Sequence, residues 1–136
     1  MQAHGQITGS FFASTSVILA NRFVVLTGAV NGSDSFTHQM AVPIVAQVSV
    51  AGVNVLGVTV ESVSANAITN IVLAGIAQIE SGAAISVGAT ISTDASGRAI
   101  TQTGAAVSLG IALNASGPSG VTVKNKIISV LLLPHF

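Results

Sequence analysis

Between Ile79 and Leu113 the chain alternates apolar and small residues between clusters of turn formers, and this restricts it to short strands. Ile85, Val87, Ala89 and Ile91 share one parity, with Ser86, Gly88 and Thr90 between them, the two-residue period of a half-buried strand. Asp94-Ala95-Ser96-Gly97 supplies turn chemistry, with Gly97 free to take positive φ. Arg98 to Thr103 then returns as the second arm of a hairpin. Gly104-Ala105-Ala106 turns again, and Val107, Leu109, Ile111 and Leu113 recur on one face.

The rest of the chain reads the same way. Val17-Ile18-Leu19 and Phe23-Val24-Val25-Leu26 are strands around the polar step Asn21-Arg22. Asn31-Gly32 is a two-residue turn signal, because both residues tolerate positive φ. Residues 33–40 form a polar surface loop. Pro43 starts or edges a strand, since it has no N–H for the ladder. Apolar residues at Val48, Val50, Leu56, Val58 and Val60 are interrupted at Gly52 and Asn54, and Ile71, Leu73, Ala77 and Ile79 mark a further strand. A helix over 63–77 is the rival, weakened by β-branched residues and Gly75. Leu56-Gly57-Val58-Thr59-Val60 is echoed by Leu109-Gly110-Ile111-Ala112-Leu113, 53 residues later. Each is followed by a polar turn and an apolar stretch, at 71–74 and 121–123, as two pseudo-symmetric half-barrels would produce. Ile127 to Leu133 is apolar on both parities, so it is covered on both faces. One face would meet the core and the other a neighbour.

These signals predict an all-β chain: a small barrel or sandwich of about eight to ten short strands, within the range of such folds. Residues 1–16 lack a steady period and read as an extended N-terminal arm, and residues 17–136 as a single β domain. The arm carries Phe11-Phe12, which either anchor on a neighbouring subunit or close one end of the core.

Charge narrows the function. Four basic and four acidic residues make up 6% of the 136-residue chain, against ~25% in ordinary soluble domains. Half of the residues are apolar, so a free monomer would cover its surface with hydroxyls, amides and backbone. Zero net charge gives little protection from association, and burial in an assembly is the economical reading. Arg22, Arg98, Lys124 and Lys126 form no basic patch, and with no Trp or Tyr for stacking, nucleic acid is not expected as a partner. No apolar run approaches the ~20 residues of a membrane-spanning helix. Met1-Gln2-Ala3-His4 does not open a signal peptide. The acceptor patterns at Asn31 and Asn114 are therefore expected to go unglycosylated.

No enzyme motif stands out. The chain has no cysteine, and His4, His38 and His135 are far apart. Asp34 and His38 share a loop but lack the further ligands a metal needs or an oriented nucleophile. Gly82, Gly88 and Gly97 have the wrong spacing for a phosphate loop. Glu61 and Glu80 could pair with Asp34 or Asp94 only in space, and the five aromatics are all Phe, poor platforms for a sugar. No catalytic residue, metal or cofactor is expected.

Ser81-Gly82-Ala83-Ala84-Ile85, Gly88, Asp94-Ala95-Ser96-Gly97-Arg98-Ala99 and Leu109-Gly110-Ile111-Ala112-Leu113 resemble a family of tailed-phage head proteins, the capsid decoration or cement proteins. The resemblance extends through Ala20 to Leu26, Val55 to Val58 and Val130 to Pro134, spanning residues 17–134. This chain is poorer in acidic residues than the family pattern, and its turn after Leu113 departs from it. The resemblance implies a virion protein, made in the host cytoplasm, that binds the major capsid protein on the outer surface of the head as a homotrimer. Its work would be to bury apolar surface between neighbouring capsomers and oppose rupture by the packed genome. Candidate interface residues are Phe11 and Phe12 of the arm, the neighbouring Arg22 and Phe23, and Val130, Leu132 and Phe136 of the last strand. The alternative is a β-rich binding module, of fibre or adhesin type, recognising a host surface.

Overall fold

The structure is a computed structural model and describes residues 6–14, 16–31, 42–114 and 126–132. Among these there is no helix, and nine strands follow in order: β1 (Ile7–Ala13), β2 (Phe23–Asn31), β3 (Val42–Gln47), β4 (Gly57–Thr59), β5 (Ile68–Glu80), β6 (Thr90–Thr93), β7 (Ala99–Thr101), β8 (Gly110–Ala112) and β9 (Ile127–Leu132). The all-β small barrel is thus the observed fold. The helical alternative over 63–77 is replaced by the long strand β5.

The first five strands close a barrel. Their order is β1-β3-β2-β4-β5, and β5 pairs back onto β1. The β1–β3 pairing is parallel, and the other four are antiparallel. Pro43 lies near the start of β3, opposite Val30. Inside sit Ala13, Ile18, Val24, Val45, Val63 and Ile71.

Past Gly75 the second half of β5 leaves this barrel and pairs with β9. The sheet continues β9-β8-β6-β7. It curls back onto the end of β5 through a parallel bridge between Ser81 and Ala99, and the Gly82 N–H donates to the Ala99 carbonyl at 2.7 Å. A second ring with the pairing scheme of the first results, and β5 is shared by both.

The echo read from the sequence is therefore structural. The Leu56 N–H donates to the Val24 carbonyl as Leu109 does to Ile91, both at 2.8 Å. Thr59 bonds Arg22 as Ala112 bonds Ala89, both at 2.9 Å. Asn21 and Gly88 are equivalent, and both have positive φ, 57° and 81°. At Gly57 a Cβ would strike the Val72 carbonyl oxygen, and at Gly110 it would strike that of Leu131, so neither position has room for a side chain. The second repeat's last strand is β9; residues 121–123 lie outside the described residues.

Odd-numbered apolar residues run through β5, but they serve two cores. Ile71 and Leu73 belong to the first barrel, whereas Ala77 and Ile79 belong to the second cluster with Ile85, Ile91, Leu109, Ile128 and Val130. A register shift opposite Ile7–Thr8, followed by Gly75 at φ 95°, exchanges the faces. Only glycine takes that backbone geometry at no steric cost. The second cluster also takes in Phe23, Val58 and Val72 from the outer face of the first barrel. Those three side chains join the barrels, each contributing about 1.5–3 kcal/mol on full burial.

Several expectations are corrected. The reading of residues 1–16 as a projecting arm fails for Ile7–Ala13. These residues form β1, held between β3 and β5 because they complete the ladder that closes the barrel. The strand expected over Ile85–Ile91 is confined to Thr90 onward, since a turn at Val87-Gly88 leaves Val87 exposed while Ile85 is buried. Leu109 is fully buried but Ile111 and Leu113 are exposed, so that stretch does not keep one face. The Asp94–Gly97 turn and its hairpin are as expected, with Gly97 at φ 78°. The turn signal at Asn31-Gly32 and the loop 33–40 lie largely outside the described residues.

Candidate functional site

The described charges are mostly spent on structure. One Asp94 carboxylate oxygen accepts the backbone N–H groups of Ser96 (2.8 Å) and Arg98 (2.9 Å). The other accepts Arg98 Nε at 2.9 Å. Asp94 thus holds its own turn, as its position predicts. Arg22 spans the two barrels: Nη2 meets Glu80 at 2.7 Å, and Nη1 donates to the Ser96 carbonyl at 3.1 Å. The pair is largely buried, with side chains 12% and 20% exposed. Among the described residues, no three of His, Cys, Asp and Glu gather closely enough to hold a metal. His4, Asp34, His38, Lys124 and His135 lie outside them.

A cleft of about 190 Å³ lies beside the junction of the barrels. Val58 and Val72 form its floor, and Gln6, Asn21, Val60 and Gln78 are among its walls. It offers amides and aliphatic surface, with no acid, base or aromatic group in its lining, and so has the makings of a contact surface rather than a reaction centre.

The seven candidate interface residues are not brought together. Phe11 points inward and packs against the first barrel's core, answering in part the alternative that it closes the core. Phe12, next along β1, lies on the opposite face, half-buried, in register with Ile44 and the exposed Ile68. Arg22 is the inter-barrel ion pair already described. Phe23, Val130 and Leu132 are buried in the second cluster, which corrects their expected place at an interface. The physical reason is parity: the register of β9 on β5 turns 128, 130 and 132 inward, so its outward residues are Ile127 and Leu131. Phe136 lies outside the described residues.

The apolar residues that do face solvent on this sheet were missed as a group. Ile76, Leu131 and Ile111 stand side by side on β5, β9 and β8. Leu113 and Ile127 extend the surface on either side of Gln78 and Ser129, whose side chains bond each other at 2.7 Å. The run of both parities from Ile127 to Leu133 carried the signal, but nothing in it tells which parity faces out.

Comparison with known proteins is consistent with this geometry. The fold matches the N-terminal base of the head fibre gp8.5 of bacteriophage phi29, with a TM-score of 0.67 over 94% of each chain. Sequence identity is 15%, so the likeness speaks to fold alone. No curated protein matches the chain. The family described as phage cement protein matches residues 3–127, nearly the whole sequence. The chain therefore belongs to the phage cement protein family and is a structural protein of the phage head with a capsid-decoration role.

Proposed function

We propose that this protein binds the outer surface of a mature phage head, contacts the major capsid protein, and stabilises the shell as a homotrimer, with no catalytic activity of its own. The observation that carries this is the cement-family match along residues 3–127. The structure supports it with a surface rich in exposed aliphatic side chains and poor in free charge. Such a surface gains free energy chiefly by burial, at roughly 25 cal/mol for each Å² of apolar area. Spread over neighbouring capsomers, that gain opposes their separation. Phe12, with Ile44 and Ile68 beside it, is the surviving aromatic contact candidate on the described surface.

The test uses expanded shells that lack the protein. Purified protein should co-sediment with them and raise the temperature at which they rupture. Shells that neither bind it nor gain resistance would overturn the reading. Binding to host cells in place of shells would favour the fibre or adhesin alternative.

A further inference from the structure

The two barrels can be compared position by position. On the first barrel Phe23, Val58 and Val72 lie side by side across β2, β4 and β5. They are 0%, 1% and 2% exposed, because the second barrel covers them. Their counterparts on the second barrel are Thr90, Ile111 and Leu131, aligned in the same way across β6, β8 and β9. Ile111 and Leu131 are each 38% exposed, and Ile76 beside them is 40% exposed. The same row of the same fold is thus covered in one repeat and open in the next. It remains apolar where it is open, and no ionised side chain stands in it.

We infer that the Ile76–Leu131–Ile111 row of the second barrel is covered by the first barrel of a second copy of this chain. The contact is head-to-tail and repeats between chains the contact that joins the two barrels within one. Three observations select this occupant. A barrel of this topology already seats on the equivalent row inside the chain. The row is continuous, through shared strand β5, with that internal interface. Neutral surfaces meet without repulsion, and the chain has zero net charge. Repeat architectures leave such an unfinished face on their terminal unit, which must be capped or extended. A heterologous contact of this kind closes into a ring when its rotation allows. The inference deepens the self-association part of the proposed function and does not depend on what the shell contributes.

The test pairs Leu131→Thr with Ile111→Thr in one variant, keeping β propensity on an exposed face. Sedimentation equilibrium at tens of micromolar should show wild type above single-chain mass. The variant should associate roughly tenfold more weakly or not at all. Its unfolding midpoint, measured where both proteins are monomeric, should match wild type and shows that the fold survives. Val50→Thr, exposed elsewhere, should leave association intact. Tagged variant mixed with wild type should still capture it, since the variant's first barrel can cover the wild-type row. A monomeric wild type, an unaffected double variant, or failure of the mixed species to form would each overturn the inference. A wild type that coats shells yet stays monomeric would sink this inference and leave the capsid reading standing. Self-association without shell binding would do the reverse. A variant that associates normally but no longer coats shells would assign the row to the capsid protein, against the inference.

Discussion

Replacing Gly110 by alanine puts a methyl group where the structure already has a neighbouring strand. The new Cβ would overlap the Leu131 carbonyl oxygen, with Val130 Cγ1 at 3.0 Å and the Leu131 carbonyl carbon at 3.1 Å. Two of these three atoms are backbone, held in the β8–β9 ladder at Gly110↔Leu132, Ile111↔Leu131 and Ala112↔Val130. Relief requires β8 to move off β9 by roughly 1 Å, a gap that forfeits much of the local packing. Two or three ladder hydrogen bonds then weaken, at about 0.5–1.5 kcal/mol each. Alanine returns about 0.4–1 kcal/mol by stiffening the unfolded chain. The net expectation is a loss of about 2 kcal/mol, or a fall in Tm of roughly 7 °C for a chain of this length. Gly57→Ala should behave alike, because its Cβ would strike the Val72 carbonyl in the first repeat. Gly88→Asn is the control: nothing lies within 4 Å of a Cβ there, and the equivalent position already holds Asn21 at φ 57°. It should change stability by less than about 0.5 kcal/mol. Urea unfolding at one low protein concentration is the assay, since association shifts apparent stability. If Gly110→Ala and Gly57→Ala unfold within about 0.5 kcal/mol of wild type, the close-approach argument is refuted.

Two further outcomes follow from the packing. Ile128→Ala should cost about 3 kcal/mol by emptying a fully buried site, whereas Ile127→Ala on the open face should cost under about 0.5 kcal/mol; equal losses in urea unfolding would contradict the inward parity of β9. Glu80→Ala should destabilise by about 2 kcal/mol, because it strips the counter-charge from a guanidinium held between the barrels, and restoring stability with a second change, Arg22→Met, would confirm that the loss comes from the stranded charge.

Much of this molecule was legible in the order of its residues. Alternation and turn chemistry identified strands, Asp94-Ala95-Ser96-Gly97 identified a hairpin, and the paired glycines of Leu56-Gly57 and Leu109-Gly110 marked a duplication. These are local signals, set by backbone sterics and by a two-residue period that needs no partner to be visible. The scarcity of ionised side chains likewise pointed to burial against something.

Tertiary structure alone decided which side of each strand meets which core. The odd residues of β5 look continuous, yet the register shift and Gly75 send Ile71 into one barrel and Ile79 into the other cluster. Phe23, Val130 and Leu132 were expected outside and lie inside, because a strand apolar on both parities carries no sign of its own. Pairing with β5 supplies that sign. The residues expected to form an arm close a barrel for a similar reason: a strand edge left open on β5 and β3 is satisfied by the nearest extended segment, and long-range pairing of that sort leaves no periodic trace in the segment itself.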